Sequence, residues 1–124
     1  MKVTNSRNRG NSFERAKRRE LIQIGYPDVV TSRSESRSMD ARGVDLLGAS
    51  LPCYVQCKLS NGRHFNHHRW YMERNDMLPD DKPTVVFNKV TKRTESGRFI
   101  EEGEYAVMPL TFFYQLLNRN EDVN

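Results

Sequence analysis

Apolar positions early in the chain recur at a helical interval: Phe13, Leu21 and Ile24 fall on one side of a helical wheel. Asn11, with Glu14 three residues on, makes a capping-box start and Gly25 a natural stop, so the spacing predicts a helix over residues 12–24. Glu14 lies two turns from Leu21 on nearly the same meridian, at the edge of the buried face. Residues 28–31 read as a short strand. The tract SRSESRS that follows, residues 32–38, has no apolar face and reads as a mobile loop. Residues 43–47 and 53–59 are two strands joined by the turn-rich Gly48-Ala49-Ser50-Leu51-Pro52, the simple pattern of a hairpin. Alternation in the second strand sends Cys53, Val55, Cys57 and Leu59 to a core face, and Tyr54, Gln56 and Lys58 to the opposite, chemical face.

Residues 67–77 pattern as a helix, with Trp70 and Met77 two turns apart on one face and Arg69, Glu73 and Arg74 in water. Two further strands are predicted at residues 84–87 and 105–108, and Ser96-Gly97 marks a turn in the charged stretch between them. Thr111 is placed to cap a last helix on which Phe113, Leu116 and Leu117 share a face, and residues 118–124 are expected to fray. The order helix, three strands, helix, two strands, helix predicts an α+β fold: a mixed central sheet of about five strands flanked by helices. At 124 residues the chain suits one domain, residues 1–117, which includes a basic N-terminal arm at residues 1–10.

Charge changes the picture more than composition does. Residues 1–42 hold ten Lys and Arg against five Asp and Glu, whereas residues 43–124 hold ten against eleven. A polyanion facing the first third is one explanation, because Lys and Arg that neutralise phosphate supply most non-specific nucleic-acid affinity; a merely solvated basic surface is the other. No stretch approaches the roughly 18 apolar residues that span a bilayer, and the first ten residues lack a signal peptide's apolar run, so a cytoplasmic, intracellular protein is expected. Cys53 and Cys57 lie about 13 Å apart if their segment is a strand, too far for a disulfide, which argues for reduced thiols.

A carboxylate on one strand, with a polar oxygen and then a lysine on its hairpin partner, gathers three groups at one sheet edge. Hard cations such as Mg²⁺ take oxygen ligands and keep several waters, so few protein ligands suffice. Asp45 offers the carboxylate, Gln56 a side-chain carbonyl, Cys57 a backbone carbonyl, and Glu14 a second carboxylate from the first helix; Lys58 can stabilise charge on a phosphate. Each has a plainer reading: Glu14 as capping partner of Asn11, Asp45 as an ordinary strand carboxylate, Gln56 and Lys58 as a solvated face. Cys53, Cys57, His64, His67 and His68 invite a zinc site, but an extended strand holds the two cysteines too far apart for one, and the histidines read as surface groups.

Gly10-Asn11-Ser12-Phe13-Glu14-Arg15, Gly43-Val44-Asp45 and Gln56-Cys57-Lys58, in that order on helix, strand and strand, resemble the PD-(D/E)XK nucleases, whose fold is restriction-endonuclease-like. The short chain, the early glutamate helix and the polar loop resemble, within that superfamily, the archaeal-type Holliday junction resolvases, which also occur in phages. The resemblance covers roughly residues 7–117, with its discriminating motifs in residues 9–58. It implies a Mg²⁺-dependent endonuclease (Mn²⁺ substituting) that acts on branched, four-way DNA as a homodimer, and a phage protein would do so in the host cytoplasm. It further implies that Glu14, Asp45 and Lys58 are catalytic, that Gln56 occupies the usual glutamate position, and that a loop serine, Ser32 or Ser34, meets the substrate phosphate. Arg7, Arg9, Arg33, Arg37 and Arg42 are the expected DNA contacts. Glutamine at position 56 departs from the commonest pattern and removes one negative charge, which should weaken the cation's hold. Two other readings stay open: a nuclease of the same fold acting on flaps, nicks or mismatches, and a non-catalytic DNA-binding module.

Overall fold

The computed structural model describes residues 6–61, 66–74, 78 and 80–122. In chain order its elements are α1 (Ser6–Ile24), β1 (Val30–Thr31), α2 (Ser32–Glu35), α3 (Arg37–Ala41), β2 (Leu46–Leu47) and β3 (Tyr54–Ser60), then α4 (His67–Arg74), β4 (Thr84–Arg93), β5 (Phe99–Val107) and α5 (Leu110–Asp122). The strands lie side by side in the order β1-β2-β3-β4-β5. Every neighbouring pair is antiparallel except β3 and β4, which run parallel, so the chain between them must cross over, and α4 lies in that connection. The expected mixed five-stranded sheet flanked by helices is thus observed, with the expected hairpin between β2 and β3.

Helix α1 stops where the sequence says it should: Gly25 takes φ 134°, and the N–H groups of Gly25 and Tyr26 donate to the Leu21 carbonyl at 3.2 and 3.1 Å. Its start differs. Residues 6–11 are already helical, so Asn11 lies inside the helix rather than capping it, and Glu14 is released from the capping role. Residues 1–5 of the expected arm lie outside the described residues, and the rest of it is helix. Phe13 and Leu21 are buried, but Ile24, one turn beyond Leu21, is exposed.

The polar tract also departs from expectation. Residues 32–38 are not a loop but α2 and the beginning of α3, with Ser36 capping the latter by accepting a hydrogen bond from Met39 N–H at 3.3 Å. The apolar anchor of these short helices is Met39, one residue past the tract, which packs with Val44 and Tyr54. That cluster covers one face of the sheet. Val29, Leu46, Val55, Val85, Leu21 and Phe112 form the larger core. Alternation along β3 holds, yet Tyr54 on the face expected to be open is buried, its hydroxyl donating to Asp80 at 3.0 Å.

Strands β4 and β5 extend well beyond the apolar runs predicted at residues 84–87 and 105–108, through the charged stretch to the expected turn, where Gly97 takes φ 83° and Thr94 N–H donates to the Arg98 carbonyl at 2.8 Å. β5 is an edge strand exposed along most of its length, so charged residues fit without burial. Helix α5 begins at Leu110, ahead of Thr111, with the Pro109 carbonyl accepting from Phe112 N–H at 3.0 Å. It buries Phe112 and partly Leu116, leaves Phe113 and Leu117 exposed, and continues to Asp122 instead of fraying at residue 118. Met77 of the predicted 67–77 helix lies outside the described residues. Cys53 and Cys57 are free thiols, as expected. Among the described residues no helix is long and apolar enough to cross a membrane.

Candidate active site

Asp45 stands just before β2, and three backbone or side-chain bonds hold it there. Its N–H donates to the Val55 carbonyl at 2.8 Å, its carbonyl accepts from Ser32 N–H at 2.9 Å, and its Oδ2 accepts from Cys57 N–H at 2.8 Å. Glu14, buried on α1, lies near enough for its charge to act on the Asp45 carboxyl. Burial pushes Asp45 up to about 7; the Cys57 N–H opposes this, while the charges of Glu14 and Asp40 add to it. Arg33 Nε donates to Glu14 Oε2 at 3.0 Å and sets a positive charge against it.

Leu46 pairs with Val55, and Asp45 just before it donates its N–H to that same Val55, which sets Asp45 beside the start of β3. Gln56 Nε2 donates to the Cys57 carbonyl at 3.4 Å, and its Oε1 is buried without a hydrogen-bond partner. Asp45 and Gln56 therefore grip the same residue, one at the N–H of Cys57 and the other at its carbonyl. The Cys57 thiol itself packs against the main core, where burial, then the Asp45 and Glu14 charges, raises its pKa far above the ordinary thiol value. Lys58 follows on the Gln56 side of β3, exposed and level with Asn88 of β4.

Of the expected set, the fold brings together Glu14, Asp45, Gln56 and Cys57, with Lys58 next along the strand. The two candidate serines are placed differently. Ser32 is fully buried, its hydroxyl donating to the Val44 carbonyl at 2.5 Å and lying 3.2 Å from Asp40 Oδ1, so that it fixes the approach to Asp45. Ser34 is exposed, and its hydroxyl bonds to Thr31. Arg33 is turned inward to Glu14, and Arg42 Nη1 lies 3.8 Å from Met39 Sδ. Arg9 lies over the Phe99 ring, and the side chains of Arg7 and Arg37 lie outside the described residues. Asp40 was missed from sequence; the signal was Ser36, whose capping role makes residues 37–41 a helix that carries Asp40 to Ser32.

Among the described residues no group of three or more His, Cys, Asp or Glu is placed to hold a metal ion, so no zinc cluster gathers around Cys53, Cys57, His67 and His68; His64 lies outside them. The oxygen donors offered here from α1, from just before β2 and from β3 are the Glu14 and Asp45 carboxylates and the orphaned Gln56 amide oxygen, a hard set. Comparison of the chain with protein-family models, with curated proteins and with solved structures finds no match in any of the three.

Proposed function

We propose that this protein is a Mg²⁺-dependent, structure-selective DNA endonuclease of the PD-(D/E)XK kind, resolving four-way junctions by paired phosphodiester hydrolysis. The carrying observation is Asp45, raised to about 7 by its burial and by the charge of the buried Glu14, on a strand pair where Gln56 Oε1 has no partner. Two carboxylates held together in partial burial repel each other, and a hard dication relieves that repulsion while using the orphaned oxygen. Glu14, Asp45 and Gln56 would hold it, and Mn²⁺ should substitute. When bound, the cation supplies Lewis-acid charge for phosphodiester hydrolysis. The Cys57 N–H fixes the orientation of Asp45, and Arg33 tempers the charge on Glu14. Lys58 brings an ammonium that stabilises the negative charge gathering on a scissile phosphate.

Cutting both arms of a junction calls for a homodimer, because two like-oriented strands need two sites related by a twofold axis. Leu110, Phe113, Tyr114 and Leu117 on the outer face of α5 form an exposed uncharged stripe at helical spacing, a surface suited to self-association. The deciding experiment incubates junction, flap, nicked and linear DNA with wild type and Asp45→Asn, in Mg²⁺ and in EDTA. Wild type should cut the junction only with the cation, and Asp45→Asn should lose at least about 100-fold in rate while its gel-shift affinity is kept, since the basic surface is unchanged. Absence of cutting, or undiminished cutting by the variant, overturns the nuclease reading; equal cutting of flap and junction overturns the resolvase part alone.

A further inference from the structure

Phe99 opens β5 directly across from Arg93 at the free end of the long hairpin. It is an odd place for an aromatic ring: Phe99 is 42% exposed and the following Ile100 49%, within a strongly charged segment. Two guanidinium groups are gathered on that ring. Arg9 Cζ lies 3.7 Å from its centroid and Arg93 Cζ 5.6 Å, and Arg9 Nη2 also reaches Thr91 Oγ1 at 3.4 Å. Lys92 and Arg98 are exposed on the same hairpin end, against one acid, Glu95, between residues 91 and 98. Among the described residues none of Arg9, Arg93 and Arg98 is ion-paired with a carboxylate. Attraction between a cation and a ring face offsets part of the repulsion between two like charges, but it leaves the cluster with net positive charge on the surface.

Beside the ring runs a groove of about 420 Å³ lined by Arg9, Leu59, Ser60, Asn61, Thr91 and Phe99. Its β3 wall, Leu59 and Ser60, follows Lys58 along the strand. Its volume falls in the range of sites that admit a small planar group.

We propose that this hairpin end is a second DNA contact, a stacking platform for an unpaired base whose flanking phosphates are taken by Lys92, Arg93 and Arg98. It rests on the reading of DNA as the substrate. Bases stack on aromatic rings and on guanidinium planes alike, and Arg and Lys take the phosphates as charge-assisted donors. The face of a base inside a continuous duplex is already covered, whereas a branch point or flap leaves one free. The platform therefore selects DNA with a strand discontinuity, and it is how the protein tells branched from linear DNA.

The test measures binding in EDTA, where no cutting occurs, to a junction carrying 2-aminopurine at the branch point and to a linear duplex of equal length. Phe99→Ala should weaken junction binding about 5- to 100-fold. It should change duplex binding less than about threefold and abolish the 2-aminopurine fluorescence change, all of which Phe99→Trp retains. Lys92→Glu with Arg98→Glu lies outside the ring stack; it should weaken binding to both DNAs and flatten the dependence on salt. Wild-type junction affinity in Phe99→Ala, or equal losses on junction and duplex, overturns the platform. Should Phe99→Ala unfold, wild-type affinity and salt dependence in the double-charge variant overturn it instead. The cleavage assay with Asp45→Asn is read separately: cutting with intact branch binding in Phe99→Ala removes the platform and leaves the nuclease, while branch binding through Phe99 without cutting does the reverse.

Discussion

At the scale of single residues, Ser32 and Asp45 make opposite demands on the fold. Ser32→Ala leaves the buried Val44 carbonyl without its hydroxyl donor, which should lower stability by about 1–3 kcal/mol, seen as a reduced denaturant midpoint at unchanged slope. Asp45 works the other way, because its pKa of about 7 in the fold lies above the ordinary 3.8. Between those values the native state holds a proton that the unfolded chain has released, so this group's contribution to stability declines as pH rises toward 7 and is level beyond it. In EDTA, wild type should therefore lose stability from pH 5 to pH 8 relative to Asp45→Asn, whose neutral amide does not titrate; equal pH profiles in chemical denaturation would remove the raised pKa. Glu14, Asp45, Gln56 and Lys58 were legible in the sequence because alternation and helical spacing place them without knowledge of the rest of the fold. Ser32 and Arg33 were not, since nothing local tells a buried hydroxyl from a phosphate contact, or an arginine facing Glu14 from one facing DNA.

Among the elements, α5 shows where periodicity stops being informative. Leu110, Phe113, Tyr114 and Leu117 make one helical stripe, Phe112 and Leu116 another, and a wheel cannot say which meets the core. Packing against Leu21, Cys53 and Val85 selects the smaller stripe. Phe112→Ala should accordingly cost about 3–5 kcal/mol by leaving a cavity, and Phe113→Ala less than about 1 kcal/mol, a contrast that thermal or denaturant unfolding measures directly. The polar tract 32–38 failed for a related reason. Its helices draw their stability from Met39 beyond the tract and from the Ser36 cap, so the tract's own pattern carried no sign of them. β4 was seen only at its apolar start and β5 at its apolar end, because pairing across an exposed hairpin needs no alternation to persist.

For the whole molecule, the order of the five strands with α1, α4 and α5 and the antiparallel first hairpin were readable, whereas α2 and α3, the parallel β3–β4 register and the two-sided core depend on contacts between residues distant in sequence. If the outer stripe of α5 joins two copies, the wild type should sediment as a dimer and Phe113→Glu with Leu117→Glu as a folded monomer; a monomeric wild type would leave the stripe without that role. The sheet is uneven: β4 and β5 share eight residue pairs, β1 and β2 only two, and β2 meets β3 at Leu46 and Val55. Amide hydrogens should reflect this, those of Ser32, Asp45 and Leu46 exchanging with deuterated solvent well before those of residues 86–92, because short ladders open without global unfolding. Asp45 is thus suspended from the part of the sheet that breathes most easily. A cation that tightens the carboxylates should slow exchange at the Ser32 and Cys57 amides, both bonded to Asp45, and leave the long hairpin's exchange as it was.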